Sequence, residues 1–266
     1  MKVVGMVCIM GKIRVALGGS EGRMGKVLQR LASDTGDIEI VCRIDHVSPE
    51  YREVGDIIGK PILSSIDIYA DFTSPDSVVD NIRKISKAGI DSVVGTTGWY
   101  DRCDEVRDVA IEYSRRILYA PNFSPLVNVQ REIVKDAARL LRPMGYDIGI
   151  VEEHHTGKKD SPSGTANTMA ADIMEVTGLT KKVYRQEGIH PKDSGELDMA
   201  SLRLGGTPGE HDVRMVGLGG KLSITTIMYS REDFGLGALA GIRWLFKNKN
   251  KEPGLYAFKE DVLGLS

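Results

Sequence analysis

Cysteine is scarce and unpatterned: there are three, Cys8, Cys42 and Cys103, widely spaced and in no C-x-x-C pair. An odd count without paired spacing argues against a disulfide framework and against a cysteine-built zinc site, and it makes a reducing, cytoplasmic compartment the expected one. Long apolar runs are also missing. No stretch approaches the ~20 residues needed to span a bilayer, so no membrane partner is expected. Residues 3–10 are apolar, but the run is short, lacks an A-x-A cleavage pattern and passes straight into Gly11-Lys12, which argues against a secretory signal. Nor is charge of one sign in excess. With 35 basic and 37 acidic residues the net charge is −2, which leaves no global attraction to nucleic acid, so any anion must be bound locally. Repeats and low-complexity tracts are absent too.

What the chain has instead is alternation. Its 266 residues allow one large domain or two moderate ones. Residues 12–17 (KIRVAL) are a short β-branched run ending in glycines, after which Met24, Val27, Leu28 and Leu31 recur at helical spacing. Residues 38–44 and 66–72 read as further strands. Ser74 and Pro75 stand where an N-cap and a first helical residue belong, ahead of Val78, Val79, Ile82 and Ile85 on one face. Strands at 92–94 and 117–120 enclose a helix marked by Val106, Val109, Ala110 and Tyr113. This order implies an α/β fold with a Rossmann-like, doubly wound parallel sheet covered on both faces.

The rhythm then changes. A longer helix carrying Leu126 to Leu141, a strand at 148–153, a helix at 165–176 stopped by Gly178, and strands at 197–204, 211–216 and 221–229 predict a smaller α+β domain with an open mixed sheet. Leu236, Leu239, Ile242, Leu245 and Phe246 mark a last amphipathic helix. The polar segment 181–196 reads as a mobile lid or interdomain loop. His211 is expected to order a turn after Gly209-Glu210, Arg231 to pair at a domain junction, and Trp99 and Trp244 to pack.

Two stretches carry chemistry. VALGGSEGRMG (residues 15–25) sets Gly19, Gly22 and Gly25 between a strand and its helix, where exposed N–H groups and the positive helix end cradle a pyrophosphate. Asp45 ends the next strand twenty residues after Gly25, where an acid bonds the adenosine ribose. Candidate contacts are Gly19, Ser20, Glu21, Gly22, Arg23, Met24, Asp45 and His46. Glu21 replaces the usual second glycine and must turn its carboxylate outward. Because Asp45 repels a 2′-phosphate and His46 is mostly neutral, NADH is expected to be preferred over NADPH.

The second stretch is EEHHTGKKDSPSGTA (residues 152–166). Successive strand residues point to opposite faces, so His154 and His155 do not chelate one ion while extended, and no metal is expected. A solvated turn is the competing interpretation. Pro162-Ser163-Gly164-Thr165, however, opens a helix whose N–H groups and hydroxyls offer an anion site near Lys158. Histidine, lysine and a helix N-terminus together suit a carboxylate substrate that must also be protonated.

These motifs make the chain resemble the 4-hydroxy-tetrahydrodipicolinate reductase (dihydrodipicolinate reductase) family over nearly its whole length. The family's E-x-H-H-x-x-K followed by D-x-P-S-G-T-A stands here at residues 152–166, with Gly149 where an acid is usual. The GxxGRMG turn, DFTSP at 71–75, GTTGW at 95–99 and APNFS at 120–124 are further landmarks. The resemblance implies NADH- or NADPH-dependent reduction of a small cyclic dicarboxylate, with hydride passing to ring C4 and a proton to the neighbouring carbon. It makes His154 the proton donor and Lys158 the second catalytic residue. His155, Gly164 and Thr165, with Ser163, become substrate positions, and Gly95, Thr96, Thr97, Ala120, Pro121, Asn122 and Phe123 hold the nicotinamide half. It further implies a discontinuous nucleotide domain (1–124 and 236–266), a substrate and tetramerisation domain (125–235), and a homotetramer. A related dehydrogenase of another small amino or keto acid, or a non-catalytic dinucleotide sensor, are the rival readings; the second would need only the glycine turn and Asp45.

Overall fold

The computed structural model describes residues 11–48, 50–184 and 191–265. The apolar residues 3–10, with Cys8, and residues 185–190 of the expected lid lie outside the described residues. The chain divides into two compact units, residues 1–123 with 234–264, and residues 124–233 with 265–266. The divisions therefore fall at Phe123 and Phe234, one and two residues before the boundaries expected from sequence.

The first unit holds β1 (Ile13–Gly18), α1 (Arg23–Thr35), β2 (Ile38–Ile44), β3 (Ile68–Asp71), α2 (Pro75–Lys87), β4 (Asp91–Val94), α3 (Cys103–Glu112) and β5 (Arg116–Tyr119). After the second unit the chain returns with α6 (Glu232–Lys247) and β11 (Gly254–Ala257). The six strands run in the order β11-β5-β4-β3-β1-β2, every pairing parallel. Val15 and Leu17 face a core shared with Leu28 and Leu31 of α1 and Leu239 and Ile242 of α6. Ala16 faces the opposite side, with Tyr69 and Ile85. Cover on both faces is why β1 is apolar almost throughout rather than alternating. Trp99 is buried, as expected, and donates its indole N–H to Thr96 O at 2.8 Å. Two parts of this unit escape pattern reading. β11 (GLYA) is half-buried at all four positions and shows no alternation, and residues 258–262 form a π-type turn.

The second unit holds α4 (Pro125–Leu141), β6 (Asp147–His154), α5 (Gly164–Thr177), β7 (Lys181–Val183), β8 (Glu196–Arg203), β9 (Gly209–Gly217) and β10 (Gly220–Met228). Its five strands run β10-β9-β6-β8-β7, with antiparallel pairs to the left of β6 and parallel pairs to the right. Ser124 and Ser163 cap α4 and α5 by accepting the N–H groups of Val127 and Ala166, and Gly178 ends α5 at φ 72°, a left-handed turn that glycine takes without strain. Arg131 and Asp172 pair the two helices, while Gln130 reaches the carbonyls of His211 and Ile224. The helices thus cover one face of the sheet. The ends of the expected lid are anchored, not loose: Lys181–Val183 is strand β7, and Lys192 pairs with Asp147 at 2.7 Å and Asp198 at 3.1 Å.

Candidate active site

Strand periodicity builds the site in the second unit. Along β6 the side chains of Ile148, Ile150, Glu152 and His154 share the buried, helix-covered face, so the last two positions of an apolar row are polar. Register then supplies neighbours. Glu152 lies opposite His211 on β9 and beside Ser201 on β8, and His154 lies beside Arg203. Glu152, His154 and His211 are all buried, at 1%, 7% and 4% exposure.

Glu152 is the hub. Its Oε1 accepts from Arg203 Nη2 at 3.0 Å and from the Ser163 backbone N–H at 3.2 Å, and its Oε2 makes an ion-pair contact with His154 Nδ1 at 2.8 Å. Burial alone would raise its pKa; nearby His154, the Ser163 N–H, the neighbouring Ser201 and Arg203 outweigh burial and hold the carboxyl well below the usual range. The His154 and His211 rings meet edge to face, 5.2 Å between centroids. Burial, reinforced by the nearby His154 and Lys158 charges and opposed by Glu152, pushes His211 down to about 4, so at neutral pH it is an uncharged ring. Ser163 Oγ accepts the Ala166 N–H and lies 3.1 Å from His211 Nε2, tying the ring to the start of α5. His211 is therefore a strand residue inside the site, not the turn residue its sequence position suggested.

The loop after β6 separates the two adjacent histidines, His154 facing inward and His155 lying half-buried beyond the strand. Lys158 Nζ bonds both oxygens of Asp160, at 2.7 and 2.9 Å. Lys158 and then burial act in opposite directions on Asp160, and with the backbone N–H of Gly164 the net effect lowers its pKa, so this carboxylate sits between the lysine and the start of α5. Gly164 is exposed and Thr165 half-buried at that helix start. Ser163 departs from expectation. It is 2% exposed, with its hydroxyl engaged by Ala166 and His211 and its N–H by Glu152, so it braces the site instead of presenting a hydroxyl to a ligand.

Glu152, His154 and His211 are also the one histidine, cysteine and carboxylate cluster of metal-holding compactness among the described residues, their ligand atoms all lying within 4.8 Å. Two features disfavour a cation there. Ligand atoms around zinc stand about 3.3 Å apart given metal–ligand bonds of about 2.0–2.1 Å, wider than the 2.8 Å between His154 and Glu152. Arg203 already neutralises the carboxylate.

In the first unit the glycine turn and Asp45 come together. Asp45 Oδ2 accepts the Glu21 N–H at 3.0 Å, and its Oδ1 faces His46 Nδ1 at 3.0 Å; His46 itself is exposed. Gly19 (φ +75°) packs so closely that a Cβ would meet Phe72 O at 2.1 Å, and a Cβ at Gly25 would meet Gly19 O at 2.2 Å. Gly22 is the exposed N-cap of α1, with Arg23 and Met24 opening the helix. This close-packed turn, at the point where strand order reverses around β1, fits a dinucleotide pyrophosphate. Gly95 and Thr96 follow β4, and a Cβ at Gly95 would strike the Phe72 ring at 2.1 Å. Thr96 spends its hydroxyl and its N–H on buried Asp71 and its carbonyl on Trp99, which leaves exposed Thr97 to meet a ligand. Ala120 and Phe123 are buried, Phe123 against Phe258 and Phe72, while Pro121 is exposed and Asn122 half-buried.

Comparison with known proteins bears on both halves. Residues 13–123 match the family model described as dihydrodipicolinate reductase, N-terminus, and residues 127–263 the one described as dihydrodipicolinate reductase, C-terminus. The 4-hydroxy-tetrahydrodipicolinate reductase of Methanosarcina barkeri is 34% identical over 95% of this chain and 100% of its own, and that of Methanopyrus kandleri 32% identical over 95% and 97%. Among solved structures, the dipicolinate-bound dihydrodipicolinate reductase of Paenisporosarcina sp. TG-14 superposes with a TM-score of 0.75 at 24% identity, covering 92% of this chain and 97% of that one. An amine dehydrogenase of Mycobacterium smegmatis follows at 0.57 and 13%, covering 94% and 96%. At these identities the structures bear on the fold alone.

Proposed function

The chain belongs to the dihydrodipicolinate reductase family, and on that premise we propose that it is the oxidoreductase converting 4-hydroxy-tetrahydrodipicolinate to tetrahydrodipicolinate in diaminopimelate and lysine biosynthesis. The observation that carries this is His154, a buried imidazole facing an ionised carboxylate, on the strand whose following loop carries Lys158 and leads to the open N-terminus of α5. The dinucleotide, held by Gly19 to Met24, Asp45, the segment Gly95 to Thr97 and residues 120–123, supplies the hydride when bound.

The protein's own groups do the rest. His154 gives a proton to the ring carbon beside the one that is reduced. Lys158 exchanges its Asp160 partner for the substrate, polarising the ring imine. The N–H groups of Gly164 and Thr165, at the positive end of α5, take one carboxylate, with His155 beside them. Asp45 favours NADH, since its carboxylate receives ribose hydroxyls and repels a 2′-phosphate; a much lower KM for NADPH contradicts that preference.

Assembly is proposed through the uncovered face of the second sheet. Leu202, Val216 and Ile227, from three different strands, each expose more than 40% of their surface there. A homotetramer built through this face is the proposed state. No described helix is long and apolar enough to cross a membrane, and the free Cys42 and Cys103 suit the cytosol. Reduction of the freshly generated ring substrate, followed by oxidation of the nicotinamide, tests the proposal.

A further inference from the structure

We infer that Glu152 is the positioning residue of the proton donor: pinned from two other elements, it holds the Nδ1 side of His154 and commits Nε2 to the substrate. The inference rests on the reaction proposed above. A histidine that donates a proton from one nitrogen needs the other nitrogen's proton fixed, or the ring flips and the wrong tautomer results. Three observations place that duty on Glu152.

Its carboxylate divides its oxygens. Oε1 is taken by the Arg203 guanidinium and the Ser163 N–H, while Oε2 lies 2.8 Å from His154 Nδ1, in ion-pair contact but off the line of a formed hydrogen bond. Arg203 in turn donates to the Asp160 carbonyl at 2.6 Å, so the hub is tied to the loop that carries Lys158. The carboxylate cannot swing away without giving up both anchors.

The far side of the ring meets a residue with no side chain. A Cβ on Gly209 would come within 3.0 Å of His154 Nε2, so the glycine at the start of β9 leaves that nitrogen unobstructed by a side chain. After donation, the bond from Nε2 to hydrogen is broken, the new C–H bond is formed with the ring carbon's electron pair, and the imidazole is neutral with its remaining proton on Nδ1 toward Glu152. Water then reprotonates Nε2.

The surrounding charges do not compete for Oε2. Among the described residues, the groups facing the pair are Arg203 from β8, engaged on Oε1; His211 from β9, 4.0 Å from Oε2 and uncharged at neutral pH; Tyr184 after β7, a phenol that burial and the Glu152 charge help keep protonated; and Lys158 from the loop, bound to Asp160. His154 is therefore the nearer ring to Oε2, at 2.8 Å against 4.0 Å for His211.

The test is Glu152→Gln, which keeps the shape and removes the charge, in the full-length protein. Turnover is expected to fall about 10²-fold with the substrate KM changed less than about 3-fold, and the basic limb of the pH profile to move to lower pH. In the cofactor-free protein, the NMR titration of His154 moves the same way, and Glu152→Asp restores part of the shift. An unmoved limb and titration overturn the inference. If Glu152→Gln does not fold, ¹⁵N shifts of wild-type His154 decide it: a neutral ring protonated on Nδ1 is expected, and one protonated on Nε2 overturns it. Failure of the wild type to reduce the ring substrate would instead sink the proposed reaction, leaving the NMR result to stand alone.

Discussion

Glu152 and His211 lie directly opposite each other across the antiparallel pair β6–β9, Oε2 of the one 4.0 Å from Nε2 of the other, both almost wholly buried. The pair combines an ionised acid with an uncharged base, and each holds its state for a different reason. Hydrogen bonds hold the acid ionised, and burial keeps the base neutral.

That arrangement makes the fold acid-sensitive. His211 titrates near 4 in the native protein and at 6.5 when unfolded, so between those values the unfolded chain carries a proton that the native state lacks. Stability therefore falls as pH drops from 6.5 to 4, by on the order of 2 kcal/mol at about pH 5. Glu152 acts in the same direction lower down: its stabilisation is complete above the ordinary carboxylate value of 4.5 and is lost as pH falls toward its depressed native value. Urea unfolding at about pH 7.5 and about pH 5 is expected to show a larger loss in the wild type than in His211→Gln. Equal losses contradict the neutral burial of His211.

His154→Ala and Lys158→Ala should each reduce turnover by about 10²-fold or more, as removal of a general acid or an electrostatic group does. Circular dichroism and melting should show both variants folded. Near-normal turnover in both variants rules out the assigned roles.

Two glycines separate the two halves of the chemistry. Gly25→Ala drives a Cβ to 2.2 Å from Gly19 O and 2.6 Å from Ser20 O, backbone atoms that cannot move aside cheaply, so dinucleotide affinity should fall by at least about 10-fold. Gly209→Ala crowds His154 Nε2 at 3.0 Å and should lower turnover while leaving dinucleotide affinity within about 2-fold. Calorimetric titration with NADH and steady-state kinetics distinguish them; matching defects in both variants contradict the division.

Val216→Asp combined with Ile227→Asp places two charges on the uncovered sheet face, where both residues are more than 40% exposed. Light scattering should show the wild type as a tetramer and the double variant as a smaller species, with its secondary structure kept. A wild-type monomer, or an unaffected tetramer, removes this face from the assembly.

Much of this molecule is legible locally. The strand, glycine turn and helix of residues 13–35 and the acid at Asp45 follow from short-range pattern, because a turn's steric demands are written within a few residues. So does the divergence of His154 and His155, which strand geometry dictates. Arg203 and His211 were not legible as site residues, because they reach Glu152 only through sheet register, 51 and 59 positions along the chain. A signal was present nonetheless. His211 is in phase with buried Val213 and Met215, and Arg203 with Leu197 and Met199, so each is a polar residue on an apolar row. Ser163 misled for the opposite reason: a cap hydroxyl looks available in sequence, and only the fold shows what it already bonds. β11 stayed hidden because four half-buried residues carry no period.

The most direct measurement is steady-state reduction of freshly generated 4-hydroxy-tetrahydrodipicolinate by the purified protein with NADH and with NADPH. Stoichiometric oxidation of the nicotinamide with formation of tetrahydrodipicolinate is expected, with the lower KM for NADH. No nicotinamide oxidation above the substrate-free rate with either cofactor, from a folded protein, would contradict it.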